Sequence, residues 1–522
     1  MDVKGEARGR LPRELAGLGI CALAATAILM ICSTNSFLYP LNPWVDVNCF
    51  VTVARGWMNG LLPYRDLMEQ KGPLIYLIHA IGLVFSPGNY HGLFLLEVVC
   101  MTWAAWLSWR IIRLCAPGAS AVWAALPLAV MCSVKGFVYG DLAEEWCLPL
   151  ALASMYAALK HWRSGTGLSL KVFLLHGFLA GCVLWIKFNQ LGTHFAFMAA
   201  LAVEAVLEDR NPVRALKMCG AFLAGMLLAS VPWLVYFAAA GALSDLIGVY
   251  FVGNLFGYTL QGGSVPSRII TGLYANAMRS KPLALMLGAG AVAVLAAPRR
   301  LMGWKEKAFL ALTAASVLTL VYGGGRHFTY YIEGLAPLAV FGALPPAWLA
   351  MWAKKRIGKT AAIRAASAVA AAAVLVASVG LAYTGFRYRR LMRVRYEDTV
   401  QGKFGAYIRQ QEDRTLLNFG SLDGGFYFAA DTLPVNRWFC ALNYGKAEAA
   451  AEQCQIVSEG RVHFVVTRDY SLERFAEKLG EIGQPLDISG YRLVMQEGKY
   501  YLYQRAEPGA LPAPENGEEQ QA

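Results

Sequence analysis

Apolar runs of roughly 17 to 25 residues recur along the first three quarters of the chain, each long enough to cross about 30 Å of hydrocarbon. The pattern predicts membrane helices at about 15–34, 91–114, 119–137, 142–160, 171–188, 192–208, 216–240, 282–298, 308–322, 331–352 and 363–385. One run is ambiguous. The segment GPLIYLIHAIGLVF (72–85) has about 14 residues and contains a His, which suits a re-entrant or interfacial segment better than a span. Without it the chain has eleven spans, the N-terminus inside and the C-terminus outside.

Loop charge tests that count, because Lys and Arg collect in cytoplasmic loops. With 72–85 left out, the inner loops hold Arg110 and Arg113, then Lys160, Arg163 and Lys171, then Arg210, Arg214 and Lys217. They also hold Arg299, Arg300, Lys305 and Lys307, and finally Lys354, Lys355, Arg356, Lys359 and Arg364. Counting 72–85 as a span would move all of these outside. The basic stretch RYRRLMRVR (387–395) falls outside, beside a long translocated segment where charge is a weak signal.

Beyond about residue 386 hydropathy falls and strand-helix alternation begins. RTLLNFG and RVHFVVT read as strands, SLERFAEKLGEI as an amphipathic helix, and YRLVMQEGKYYLYQR as a hairpin turning at Glu497-Gly498. The expected architecture is an all-α multi-pass membrane domain over 1–385, with a first outer loop at about 35–90. A small extracytoplasmic α/β domain follows over 386–505. The tail 506–522, rich in Pro, Glu and Gln, is expected to be disordered.

Composition agrees with a membrane protein. Of 522 residues, 57% are hydrophobic and 16% charged, against about 25% charged in soluble domains. The first apolar run follows Lys4, Arg8, Arg10 and Arg13, the charge order of a signal peptide. It is long for one and lacks a small-x-small cleavage site, so it reads as a retained helix. The net charge of +12 lies largely in the inner loops and needs no nucleic acid to explain it. Most of the cysteines lie in or beside apolar runs as small hydrophobes, and no CxxC or Cys/His cluster suggests zinc. Cys440 and Cys454 lie in the polar C-terminal region and could pair in an oxidising space. No GxGxxG, P-loop or internal repeat is present.

The stretch NPWVDVNCFVTVARGWMNGLLPYRDLMEQKGPL (42–74) concentrates Asp46, Arg55, Arg65, Asp66, Glu69 and Lys71 in a chain that carries little charge near lipid elsewhere. The outer face also receives a long loop at 241–281, and KGFVYGDLAEEW (135–146), IKFNQLG (186–192) and GGGRHFTYY (323–331) add Asp141, Glu144, Glu145, Lys187 and Arg326 to it. Ionisable groups beside hydrocarbon are costly and mark a functional site or a wet cavity by default. Plainer readings exist for two of them. Asp141 could cap the next helix, with Glu144 completing a capping box, and Lys187 could snorkel to the interface. A carboxylate among several cations suits transfer from an anionic, lipid-linked donor, with the cations on phosphate and the carboxylate taking a hydroxyl proton.

An Asp in the first outer loop, then Gly60-x-x-Pro63-Tyr64-Arg65-Asp66, then Lys71-Gly72-Pro73-Leu74 before a short apolar segment, resembles the C-type (GT-C) integral-membrane glycosyltransferases. These include protein O-mannosyltransferase and aminoarabinose-transferase relatives. DLAEEW (141–146) and GRHFTYYIEGLAP (325–337) extend the likeness along the eleven helices and the hydrophilic domain after them. The resemblance implies that Asp46 is the catalytic base, and that Asp141 with Glu144 or Glu145 forms a second acidic site for acceptor or metal. It makes Lys71 a contact to donor phosphate; Arg65, Lys187 and Arg326, other cations of the same outer face, are further substrate-binding candidates. The sequence departs from the pattern at Gly72, where relatives commonly have Pro, and at Thr329-Tyr330, where they often have His-Tyr. That leaves the late motif, with Arg326 and His327, the least defined part. The implied donor is a polyprenyl-phosphate sugar and the acceptor a glycan, lipid or protein. No cofactor is implied beyond, at most, a divalent cation.

Two other classes of function compete, besides another lipid-linked transferase such as a polymerase or ligase. A transporter or lipid flippase predicts repeats and charge near the bilayer midplane, whereas here charge gathers at one face. A scaffold that presents the C-terminal domain predicts that neutralising Asp46 has little effect.

Overall fold

The computed structural model describes residues 3–257, 262–357, 361–443 and 445–506. The chain forms two compact units, one of Met1–Val47 and Gln70–Val394, the other of Asn48–Glu69 and the chain from Arg395 onward. The first-loop residues Asn48–Glu69 therefore group with the C-terminal chain, although the hydropathy pattern keeps the whole loop with the membrane helices.

The first unit is helical. Its elements run α1 (Val3–Cys32), the opening of α2 (Val45–Met58), α3 (Pro73–Phe85), α4 (His91–Cys115), α5 (Ala125–Ser133), α6 (Ala143–Ser164), α7 (Leu170–Lys187) and α8 (Gly192–Leu207). They continue as α9 (Pro212–Ala239), α10 (Leu243–Leu246) with a π-helical extension to Gly257, α11 (Val265–Arg279), α12 (Lys281–Ala296), α13 (Trp304–Tyr322), α14 (Ala336–Ala339), α15 (Leu344–Ile357) and α16 (Ala361–Gly385). Each predicted span coincides with helix, but fewer helices are long and apolar enough to cross a bilayer. Among the described residues these are Leu11–Cys32, His91–Cys115, Leu170–Gln190, Pro212–Ala239, Thr329–Ala353 and Ala366–Gly385. The run expected at 282–298 is one arm of a pair, α11 and α12, bent by 116°. The break falls at Ser280, whose φ of −127° and ψ of 50° are non-helical, and Pro282 follows in the first turn of the new helix. The 72–85 run forms α3, only 13 residues long.

Small residues let these helices approach closely, since lipid provides no hydrophobic drive between them. A β-carbon on Gly177 of α7 would lie 1.9 Å from the Phe222 carbonyl oxygen of α9, and one on Gly225 would lie 2.0 Å from that of Leu174. Farther along the chain, Leu283 and Met286 of α12, Val317 and Val321 of α13 and Tyr331 and Ile332 share a buried apolar cluster.

The second unit is α/β. A four-stranded sheet in the order β1-β2-β4-β3 is built from β1 (Leu416–Asn418), β2 (Phe464–Arg468), β3 (Tyr491–Glu497) and β4 (Tyr500–Arg505). β1 runs parallel to β2, and the other pairs are antiparallel. The helices are α17 (Val400–Arg409), α18 (Phe426–Ala429), α19 (Lys446–Ser458) and α20 (Leu472–Glu481). The predicted amphipathic helix is α20, whose Leu472, Phe475, Ala476 and Leu479 meet the core formed by Leu417, Val465 and Tyr503. The hairpin turns one residue later than expected. Glu497 pairs with Tyr500, leaving Gly498, at φ 55°, and Lys499 as the loop. Of the predicted tail (506–522), residues 507–522 lie outside the described residues.

The part of α2 that belongs to this unit, from Asn48 on, packs on its C-terminal chain. Thr52 donates to Asp423 at 2.6 Å, and Arg55 donates to the Tyr427 and Thr432 carbonyls and pairs with Asp431. The Cys49 sulfur lies 3.7 Å from that of Cys440. This corrects the suggested Cys440–Cys454 pair, for Cys454 packs in the sheet core with Leu417 and Val465. A partner 391 positions away was not visible in the pattern.

Candidate active site

Lys71 stands just before α3, held by its backbone. The buried Tyr76 hydroxyl accepts from the Lys71 N–H at 3.1 Å and donates to the Lys71 carbonyl at 3.0 Å. Asn254 donates to the Gln70 carbonyl at 2.8 Å. Gly72 explains its own departure from the K-P-P-L pattern. A β-carbon there would sit 2.0 Å from the Trp185 carbonyl oxygen, and its N–H donates to Ile186 at 3.2 Å. Proline has neither the room nor the proton. The close approach brings the Lys71 segment against the end of α7, where Lys187 stands.

α7 stops at Lys187. The Tyr250 hydroxyl donates to the Leu184 carbonyl and accepts from Phe188 N–H at 3.2 Å, fixing the turn that follows. The Lys187 ammonium lies 4.8 Å from the Tyr330 ring centroid and 5.2 Å from that of Tyr331, within cation–π range. Lys71, Lys187 and Arg326 line one cavity of about 220 Å³, with Asn189, Tyr250 and Tyr330 among its other walls. A cavity with three cations and aromatic walls suits an anionic head group joined to an apolar body.

Two carboxylates act on Lys187. Glu144, in the first turn of α6, accepts from its ammonium at 2.5 Å, and both side chains are buried. Asp46, in the first turn of α2, is half-buried and within electrostatic reach of the same ammonium. Trp44, two residues earlier, meets the Tyr330 ring edge-on at 5.9 Å between centroids. Lys187 is thus an ion-paired wall of the cavity.

Asp141 and Glu145 lie elsewhere, in a polar network sealed from solvent. The Asp141 carboxylate accepts from Asn35 at 2.9 Å and from the Trp146 indole at 2.8 Å, and His79 Nε2 lies at 3.2 Å. His79 Nδ1 faces the Ile75 carbonyl at 2.8 Å, which can only accept, so that nitrogen carries a proton. Burial works to raise the Asp141 carboxyl, but His79, Asn35 and Trp146 outweigh it and hold it below the ordinary range. The Asp141 N–H donates to Glu97 and to Glu145, each at 2.9 Å. Glu97 also accepts from Ser33 and Asn35, each at 2.8 Å. The capping box does not form. Leu142 is the N-cap of α6, and Asp141 adopts a left-handed φ of 61° that sends its side chain inward. Glu144, Glu145 and Glu333 line a small void of about 10 Å³ between this network and the ion pair.

Arg65 belongs to the second unit, where it is exposed and pairs with Asp66 at 2.9 Å. His327 is exposed. The pattern missed Glu97, Asn35 and Glu333 and gave His79 no role. Glu97 and His79 interrupt apolar runs, which is itself the signal of a functional or satisfied polar group in a membrane helix. Among the described residues, no group of three or more His, Cys, Asp or Glu is arranged to hold a metal.

The elements that carry this site, with the sheet-bearing unit that follows them in sequence, have the fold of a C-type integral-membrane glycosyltransferase. The crystal structure of ArnT from Cupriavidus metallidurans in the apo state matches 94% of this chain and 98% of its own, with TM-score 0.61 and 12% identity. No protein-family model and no curated protein sequence matches the chain.

Proposed function

We propose that this protein is a membrane glycosyltransferase that moves a sugar from a polyprenyl-phosphate donor to an acceptor hydroxyl at the extracytoplasmic face. The N-terminus is then cytoplasmic and the sheet-bearing unit outside, as the loop charges favour. The observation that carries the reading is the single cavity lined by Lys71, Lys187 and Arg326 in an ArnT-like fold. ArnT, an aminoarabinose transferase, supports a lipid-linked sugar donor by analogy of fold.

In the proposed step the acceptor oxygen attacks the anomeric carbon as Asp46 takes its proton. The bond from that carbon to the phosphate oxygen breaks, and polyprenyl phosphate leaves with its negative charge facing the three cations. One displacement inverts the anomeric centre. Glu144 pairs with the Lys187 ammonium and fixes its place in the cavity wall. Asp141 and Glu145, sealed from solvent, act as positioning groups that fix the start of α6 and so the place of Glu144.

The test is transfer by purified protein from a short-chain polyprenyl-phosphate sugar, with mass spectrometry of envelope lipids and glycans made with and without the chain. The expected result is a new glycosidic product that disappears with Asp46→Asn. An unchanged set of linkages, with only the sidedness of a lipid altered, would mark a flippase instead.

A further inference from the structure

Cys49 and Cys440 are the one pair of cysteine sulfurs in contact among the described residues. Both are buried at 1% exposure, both belong to the sheet-bearing unit, and their sulfurs are 3.7 Å apart. A disulfide needs about 2 Å between sulfurs, so the two side chains have less than 2 Å to close. The backbones are already held in register. One turn further along α2, Thr52 bonds Asp423 at 2.6 Å, and on the other strand of chain the Arg437 carbonyl accepts from Met68 N–H at 2.9 Å. Cys49 thus meets Cys440 inside an interface fixed on both sides.

We infer that Cys49 and Cys440 are joined by a disulfide in the native protein, a covalent tie between the first outer loop and the C-terminal chain. The inference rests on the outward orientation proposed above, because such bonds persist in oxidising compartments and are reduced in the cytosol. The electron acceptor is the disulfide of an extracytoplasmic thiol oxidant. One thiolate attacks it and releases one of its sulfurs as a thiol, and the second thiolate then displaces the other sulfur. Two protons and two electrons leave the pair, and the oxidant ends as a dithiol. Timing follows from burial. The hydrogen bond to Cys440, then burial, raises the Cys49 thiol well above its ordinary range, and burial raises Cys440 too. Few thiolates exist once the unit has closed, so oxidation accompanies folding and the finished bond resists reductants that do not unfold the protein.

The test is peptide mapping of the full-length protein from membranes whose free thiols are blocked with N-ethylmaleimide under denaturing, non-reducing conditions. The expected product is a cross-linked pair of peptides holding Cys49 and Cys440, two hydrogens lighter than their sum, with Cys454 alkylated. Alkylation of both Cys49 and Cys440, or a link from Cys440 to Cys454, would overturn it. Copper-phenanthroline treatment of detergent-purified protein separates the causes of failure. A Cys49–Cys440 link that forms only under that oxidant overturns the native bond and points to a reducing compartment, against the proposed orientation. No link under either condition overturns the pairing and leaves orientation and transferase activity to their own tests.

Discussion

Lys187 and Glu144 form a buried ion pair at 2.5 Å at the junction of α7 and α6, with the lysine also facing the rings of Tyr330 and Tyr331. One partner lines the cavity and the other does not. Removing either strands a charge in a dry place, which costs about 3–5 kcal/mol, whereas removing both can be close to neutral. Lys187→Met should therefore lower the thermal midpoint of the detergent-solubilised protein markedly. Lys187→Met with Glu144→Gln should recover most of that loss while donor affinity stays low. A double variant as unstable as the single one would show that the two side chains do not compensate each other.

Lys71 should matter to donor affinity more than to chemistry, because the donor phosphate carries its charge before the transition state. Loss of a charge-assisted hydrogen bond is worth about 1.5–3 kcal/mol, roughly a 10- to 100-fold weakening. Lys71→Ala should raise the apparent KM for a water-soluble short-chain donor by that factor. Asp46→Asn should instead lower kcat by about 100- to 10,000-fold. Equal effects of the two variants on kcat alone would remove the assigned division of roles.

Gly72 tests the same segment by shape. A methyl group there must displace the Trp185 carbonyl from 2.0 Å, and proline would also lose the hydrogen bond to Ile186. Gly72→Ala should move Lys71 away from Lys187 and raise the donor KM about tenfold, equivalent to about 1.4 kcal/mol. Gly72→Pro, although it restores the motif of the resembled family, should be worse. A fully active proline variant would mean that the segment shifts freely.

The charged geography of the site was readable because an apolar chain makes each ion conspicuous. Lys71, Lys187 and Arg326 stood out for that reason, and they meet at one cavity. Their partners were less readable. Asp141 and Glu144 have capping-box spacing, yet a left-handed φ at Asp141 turns its carboxylate toward Trp146 and toward Asn35 and His79, the last two far away in sequence. Only packing decides between these uses of one spacing. In the same way, hydropathy finds a helix near 282–298 but not its 116° bend with the helix before it. The assignment of Asn48–Glu69 to the sheet-bearing unit depends on Cys49, Thr52 and Arg55 meeting partners more than 370 positions later.

Asp423 gives the sheet-bearing unit a pH dependence. Burial raises its carboxyl above the ordinary value, although Thr52, Gly425 and Asn418 hydrogen-bond to it. The folded chain therefore keeps this proton to a higher pH than the unfolded chain does. As pH rises from below the ordinary carboxylate pKa of 3.8, the unfolded state loses the proton first, and stability falls until the folded group has also ionised. The contribution is fully present below that ordinary value and is lost as pH rises through the raised one. Asp423→Asn keeps much of the shape and cannot ionise, so it removes this dependence. It should also cost about 1–3 kcal/mol at neutral pH, because an amide nitrogen replaces an oxygen that accepts from Thr52 or from Asn418 and Gly425. Thermal unfolding of the full-length protein in detergent, followed by tryptophan fluorescence across the acid range, reads both effects. The wild-type midpoint minus the variant midpoint should shrink as pH rises. A difference that is flat or grows with pH would assign the acid-range dependence to other groups and leave Asp423 with only a hydrogen-bonding role.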